Sequence, residues 1–491
     1  MMLDNSAART RLLEIGTSDT LPRGGRGGSS AAACLRAASV SVGVGGFVLP
    51  WAFEQLGLVF GPLAVFTVAL LSRRALADLL RSRVALARGA VPVLAPKLAA
   101  MPPRTRADGL VELAAGILGP SAGSVTRVLL VLRSAGIAAV HAGVALAALQ
   151  PLETELQPLA SEVRAPLSVH LPWSEPLNRV LYIVFLVVVP LLCLSAKRLA
   201  VLGLSGMLAL FAAVVATLAI GATWLPLAGF EGGSGMLTLQ PRHPVPLFPS
   251  SLGSFVRALG VLPLLFWGHL AVLPPVLDAM ARPRDFRCIA HASFVVSSAL
   301  SVCLGFFGAP LLLDATVAPD AGGGASTRTS VALSVCLGFF GAPLLLDATV
   351  LPDVGGGVAQ TRSTAMLVGR AFLFTGCIAL CPAMLVPALE HLRRLLPKVP
   401  HLVSSLGLLG FVACLVRWGG PPEQLASLVG GSVQCLLGIV LPSLLALGAM
   451  PWQSRAQTLF RVSVATLGFG AAALSVALGI RGLIAGAHER G

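Results

Sequence analysis

Two stretches of this chain bring together residues whose types and spacing could bind a small zwitterion. In the first, SVGVGGFVLPWAFEQLG (residues 41–57), Gly43, Gly45 and Gly46 precede Pro50 inside an apolar segment. A helix interrupted within a bilayer is tolerated only where it lines a cavity, and there its free N–H groups can hold a carboxylate. Its free carbonyls can hold an ammonium or a cation, and glycine removes the side chain that would keep a ligand away from the backbone. Close helix packing through small residues is the other reading, and spacing alone leaves both open. The second stretch, FWGHLAVLPPVLDAMARPRDF (residues 266–286), places Gly268, His269 and the pair Pro274–Pro275 inside another apolar segment. Breaks in the first and sixth helices are what a five-plus-five inverted repeat requires. An ionisable group at membrane depth marks function by default, and histidine titrates near neutral pH. His269 therefore has three readings: a neutral ring bonded to backbone, a proton-coupling group, or a substrate contact.

These stretches sit in a chain built for lipid. Of 491 residues, 56% are hydrophobic and 11% charged, and apolar segments long enough to cross a bilayer recur throughout. The alternation of a membrane β-barrel is absent, so the fold class is an all-α polytopic membrane protein. Eleven spans are expected at 37–58, 60–80, 126–149, 178–195, 199–223, 251–279, 288–312, 364–390, 402–417, 424–448 and 458–485. With the N-terminus in the cytosol, the cytosolic loops collect Arg73, Arg74, Arg81, Arg83, Arg88, Lys97, Arg104 and Arg106, then Lys197 and Arg198, then Arg282, Arg284 and Arg287, then Arg393, Arg394 and Lys398, then Arg455. That is the positive-inside pattern. Placement on the cytosolic side thus accounts for the net charge of +14 without an acidic partner.

Three regions are expected: a disordered cytosolic tail over 1–36, a membrane-embedded domain over 37–485 and a short tail over 486–491. ALSVCLGFFGAPLLLDATV occurs at 299–317 and again at 332–350, so a tandem duplication occupies 299–350. If the second copy crossed the membrane, every later loop would change sides, and Arg393, Arg394, Lys398 and Arg455 would face outward. The second copy is therefore expected not to cross.

The remaining polar residues invite plainer readings. Cys377 and Cys381, one helical turn apart, suit packing better than metal binding, and no metal or cofactor is expected. His141 and Arg370 read as structural, Asp278 as a partner for Arg282, and Glu54 as lying at the water boundary. Arg133 must face a cavity, an interface or a partner. The arginines of the first 36 residues lack interleaved aromatics, so no nucleic-acid partner is expected. No HExxH, Walker A or GxSxG pattern occurs, and the chain is not expected to be an enzyme.

At this point the sequence resembles the amino acid/auxin permease family of transmembrane amino acid transporters. VGVGGFVLPWAF is similar to that family's first-helix pattern, Gly-x-Gly followed by Leu-Pro-x-Ala-Phe, and WAFEQLGLVFGP resembles plant amino acid permeases. GHLAVLP resembles the sixth-helix signature Gly-His-Ala-Val-x-Pro of vesicular and vacuolar members, with one more residue between His269 and Pro274. Residues 109–119, 133–143, 190–206, 366–390 and 425–447 resemble further family segments in the same order. The resemblance implies a LeuT-type bundle of eleven helices, with helices one and six broken, alternating access and a midplane site for an amino acid. It implies a substrate site at Gly43, Val44, Gly45, Gly46, Phe47, Phe266, Trp267 and Gly268, whose apolar walls favour neutral amino acids. Sodium-coupled relatives carry an Asn and Thr residues where this chain has Ser39, Ile378 and Leu380. Ser39 and Ser41 are then the remaining cation-site candidates, and the resemblance leans toward a proton as coupling ion, with His269 as its candidate carrier. The expected partners are an amino acid, a proton and the lipid bilayer, in the plasma membrane or a vacuole-like endomembrane. A sensor on the same fold, and sodium-coupled transport, are the rival readings.

Overall fold

The computed structural model describes residues 45–87, 109–162, 187, 202, 205, 246–279, 285–316, 357–418, 422–450 and 454–488. Expected spans four and five (178–195 and 199–223) lie almost entirely outside these residues, as do the second copy of the duplication and the N-terminal tail, while helix continues through residues 486–488 of the expected C-terminal tail. The described chain is helical, without strands. Its elements are α1 (Gly45–Ala87), α2 (Gly109–Leu118), α3 (Pro120–Glu162), α4 (Leu252–Ala279), α5 (Phe286–Thr316), α6 (Gly357–Leu395), α7 (His401–Trp418), α8 (Pro422–Val429), α9 (Leu441–Ala449) and α10 (Arg455–His488). Between α8 and α9 the helix continues as two π-helical turns, Gly430–Gln434 and Leu436–Val440.

Six of the described stretches are long and apolar enough to cross a membrane: Val48–Leu86, Pro120–Leu146, Phe286–Phe306, Phe374–Leu395, Pro422–Ala449 and Arg455–Arg481. The first of them is two helices. Gly57 leaves the helical region at φ 81°, ψ 160°. A straight helix would hold residues 53 and 61 about 12 Å apart. Yet a Cβ placed on Gly61 would lie 2.8 Å from Cδ1 of Phe53, so the chain folds back at Gly57. The fold-back falls where the expected first and second spans meet. Two of the amides that open the second half find carbonyls elsewhere: Leu58 N–H donates to Pro246 O (3.0 Å) and Val59 N–H to Leu247 O (3.2 Å).

Other ends follow local chemistry. α2 stops at Gly119, whose φ of 102° suits glycine, and Pro120 then opens α3 where its missing N–H is harmless. Ser251 caps α4 by accepting from Ser254 N–H at 3.1 Å, and Ser454 caps α10 by accepting from Gln457 N–H at 3.3 Å.

Helices pack through small residues, the expected currency of contact in lipid. α3 and α8 run antiparallel: Gly136 abuts Val429, and Gly143 faces Pro422. α4 and α8 run parallel and cross where Gly260 meets the backbone of Ser427 and Gly430. α10 lies on the π-helical stretch, with Gly468 against Val440 and Gly431 against Ser475. α5 receives α1, where Phe53 fills the space over Gly305.

One expectation is corrected. The sixth span was expected to break near Gly268 and Pro274–Pro275, but α4 is one continuous helix through all three. Proline's φ of about −65° is compatible with a helix; what it removes is an N–H donor. The consequence falls on the carbonyls of Leu270 and Ala271, which receive no bond from the residue four positions on. The expected break of helix one runs over Gly43 to Gly46: Gly43 and Val44 lie outside the described residues, whereas from Gly45 through Pro50 the chain is helical.

Gly57→Ala should destabilise the protein by about 1–3 kcal/mol, because a Cβ there would sit 2.5 Å from the backbone of Leu247 and demands a left-handed conformation. Gly407→Ala, in open space on α7, should be neutral or slightly stabilising. Thermal unfolding in detergent checks both; equal melting temperatures for the two variants would refute the turn.

Candidate functional site

The side chains that meet between α4 and α5 form the most polar contact between the two. His269 is fully buried. Its Nδ1 lies 3.2 Å from Phe266 O, one turn back on α4, and its Nε2 lies 3.0 Å from Ser297 Oγ on α5. Ser297 Oγ in turn lies 2.7 Å from Ser293 O. The imidazole stacks on Phe294 with centroids 4.4 Å apart and 19° between planes, and Phe266 stacks on the same ring at 6.2 Å. A histidine so placed has an acceptor at Nδ1, a hydroxyl at Nε2 and an aromatic face. Each is compatible with a neutral or a charged ring.

Gly46 reaches the same helix. A Cβ on it would lie 3.7 Å from Leu304 Cδ1, two turns beyond Ser297 on α5. α5 therefore touches both predicted parts of the site, Phe266 and His269 through Phe294 and Ser297, and Gly46 through Leu304. Gly45 is the first described residue of α1. Trp267 and Gly268 lie on the backbone of α4 and Phe47 on that of α1, but the side chains of Phe47 and Trp267 lie outside the described residues, as do Gly43, Val44, Ser39 and Ser41 altogether.

The other singled-out residues are placed as follows. Arg133 donates from Nε to Gln434 Oε1 at 3.2 Å, joining α3 to the first π-helical turn. His141 bonds through Nδ1 to Ile137 O at 2.8 Å, and its Nε2 is buried without a hydrogen-bond partner. Glu54 is half-buried. Cys377 and Cys381 are buried, and Cys381 Sγ points at Ala138 O on α3 at 3.5 Å. Among the described residues no group of three or more His, Cys, Asp or Glu side chains could hold a metal. The side chains of Arg370 and Asp278 lie outside the described residues.

Sequence reasoning missed a buried ion pair. Asp78 and Arg461 are each 1% exposed. Arg461 donates to Asp78 in bidentate fashion, Nη2 to Oδ1 at 2.7 Å and Nε to Oδ2 at 3.1 Å. Arg74 and Arg81 approach the same carboxylate at 3.4 and 3.6 Å. A signal existed: Asp78 is the lone acid among Arg73, Arg74, Arg81 and Arg83. Ser297 and Gln434 carried no such signal, being single polar residues in apolar helices.

A bundle of apolar helices joined by glycine contacts, with a few paired polar groups inside, defines an integral membrane protein. The family model for transmembrane amino acid transporter proteins matches residues 26–308, more than half of the chain. The chain belongs to that family of amino acid transporters. No curated protein matches it.

Removing one partner of a buried ion pair leaves a charge without compensation, at a cost of about 3–5 kcal/mol. Asp78→Ala should lower stability by that order, Arg461→Ala by less because Arg74 and Arg81 stay beside the carboxylate, and the double variant by less than the two together. A double-mutant cycle of thermal unfolding in detergent measures this; additive losses would show the pair to be uncoupled.

Proposed function

We propose that this protein is a secondary active transporter that carries neutral amino acids in symport with protons, by alternating access on a LeuT-type bundle of eleven helices. The observation that carries the proton assignment is His269, fully buried yet bonded across two helices to Ser297. The missing side-chain oxygens at Ile378 and Leu380 speak against a sodium shell, which needs several hard ligands. A proton needs one titratable group whose surroundings differ between two states.

In this reading the substrate carboxylate is held by backbone N–H groups near Gly43 to Gly46. Its ammonium is held by carbonyls of α4. Those of Phe266 to Gly268 belong to a continuous helix here, and Phe266 O already accepts from His269. The carbonyls of Leu270 and Ala271, left without i+4 donors by Pro274 and Pro275, are the better acceptors. Phe47, Phe266 and Trp267 supply apolar walls that favour neutral side chains. Ser39 and Ser41 remain the places to look for a cation.

Uptake of labelled neutral amino acids into proteoliposomes should rise as pH falls on the side the substrate enters from, and should not depend on sodium. Uptake that is flat with pH and saturates with sodium would overturn the coupling assignment. Binding without flux would turn the protein into a sensor on the same bundle.

The N-terminus is placed in the cytosol, and the second copy of the duplication is held not to cross. A cysteine at Val399, in the turn between α6 and α7, should then react with an impermeant reagent only after the cytosolic side is opened. Reaction in intact cells would mean that the second copy crosses.

A further inference from the structure

We infer that Ser297 is the positioning residue that transmits the protonation of His269 to α5, its hydroxyl hydrogen turning between His269 Nε2 and the carbonyl of Ser293. This rests on the reading of His269 as the proton carrier. A carbonyl only accepts, so the 3.2 Å contact with Phe266 O assigns a hydrogen to Nδ1. The opposite neutral tautomer would set two lone pairs against each other. With Nδ1 protonated, a neutral ring has its lone pair at Nε2, and only the Ser297 O–H can satisfy it. When Nε2 takes up a proton it becomes a donor. Ser297 Oγ then accepts from it, and the serine hydrogen swings to Ser293 O. Oγ stands 3.0 Å from Nε2 and 2.7 Å from Ser293 O, both within bonding distance. No heavy atom has to move, no group is orphaned in either state, and the serine keeps its own hydrogen throughout.

The charged state is provided for without a carboxylate. Two oxygens accept from the ring, and the face of Phe294 lies 4.4 Å from it. Among the described side chains of the elements packed against α4, the titratable and charged groups are Glu54 and Asp78 with the arginines around it on α1; Asp285, Arg287, Cys288, His291 and Cys303 on or beside α5; Glu423 on α8; Cys435 between the π-helical turns; and Arg455, Arg461 and Arg481 on α10. On α4 itself Arg257 lies three turns away. None of these bonds His269, whose ring meets Phe266 and Phe294 and whose polar partners are the carbonyls of Phe266 and Ser293 and the Ser297 hydroxyl. Asp285 and Arg287 lie about 15–18 Å along α5 from Ser297.

The effect on transport follows from which state loses more. A hydrogen bond to a charged group is stronger than one between neutral groups. Deleting the Ser297 hydroxyl therefore penalises the imidazolium more than the imidazole. The proton binds less tightly, and the midpoint of the pH dependence moves to lower pH by about one unit, a tenfold loss of proton affinity. Ser298 is the internal control. It is the adjacent buried serine, and its hydroxyl bonds only within its own helix, to Phe294 O at 2.7 Å.

The test measures net uptake and substrate-for-substrate exchange against pH in proteoliposomes of the full chain. Ser297→Ala should shift the midpoint of net uptake down by about one unit, with exchange falling less than net uptake. Ser297→Thr should restore it, and Ser298→Ala should leave it in place. Ser297→Cys, a weaker acceptor of similar size, should shift it in the same direction and decides the matter if the alanine variant does not fold. A wild-type midpoint in Ser297→Ala or Ser297→Cys, while His269→Ala abolishes the pH dependence, overturns the relay and leaves the proton reading standing. A wild-type pH dependence in His269→Ala overturns the relay and the reading beneath it together.

Discussion

Between Gly57 and Val59 the chain must reverse direction without leaving an amide unpaired. A backbone group shut away without a partner costs free energy, so a turn this tight needs both an unusual backbone conformation and acceptors brought from elsewhere. Gly57 supplies the first at φ 81°, and the carbonyls of Pro246 and Leu247 supply the second. Because those carbonyls directly precede α4, the same two bonds tie the first helical hairpin to the helix that carries His269. Phe60, at the start of the returning half, packs edge-on against Phe248 and Phe255 and closes the junction with aromatic contact. The placement of α4 against α1, and through it the geometry at α5, hangs on that junction.

Two kinds of contact then hold the bundle. Glycine contacts bring backbones close where dispersion alone must hold helices together: Gly260 against α8, Gly136 against Val429, Gly448 against Ile117. Polar pairs fix register where a slide would otherwise be inexpensive. Asp78 with Arg461 ties α1 to α10, Arg133 with Gln434 ties α3 to the π-helical stretch, Ser427 with Arg257 O ties α8 to α4, and His269 with Ser297 ties α4 to α5. Each joins two elements distant in sequence or separated by a loop.

Hydropathy made α4, α7 and α8–α9 legible to within a few residues, because length and apolarity are what a bilayer selects, whereas α3 runs to Glu162, well past the expected 149, and α2 was not among the expected spans. The reversal at Gly57 was also legible, from the narrow gap between two membrane-length segments. What sequence could not give was the state of α4 at Gly268 and Pro274–Pro275. Helix-breaking residues predict a weak point, yet proline fits helical φ, and whether the weak point is open depends on packing and state. Nor could it give the partners of buried polar groups. His269 was visible as an ionisable residue at membrane depth, whereas Ser297 and Gln434 become meaningful only once two helices are set face to face. Arg461 was hidden because an arginine near the end of a span reads as an interfacial anchor.

The two π-helical turns between Gly430 and Val440 make the stretch from α8 to α9 longer in residues than in reach. A π turn closes its hydrogen bond one residue later than an α turn, so each accommodates an extra residue by widening rather than by advancing. The flanks Pro422–Val429 and Leu441–Ala449 consequently keep the angular relation they would have in a shorter, regular helix. The stretch takes up the extra residue of each turn with the faces it shows to α4 and to α2 left in place. It is therefore the part of the bundle where a gain or loss of one residue is a matter of girth, and the packed surfaces on either side are insulated from it.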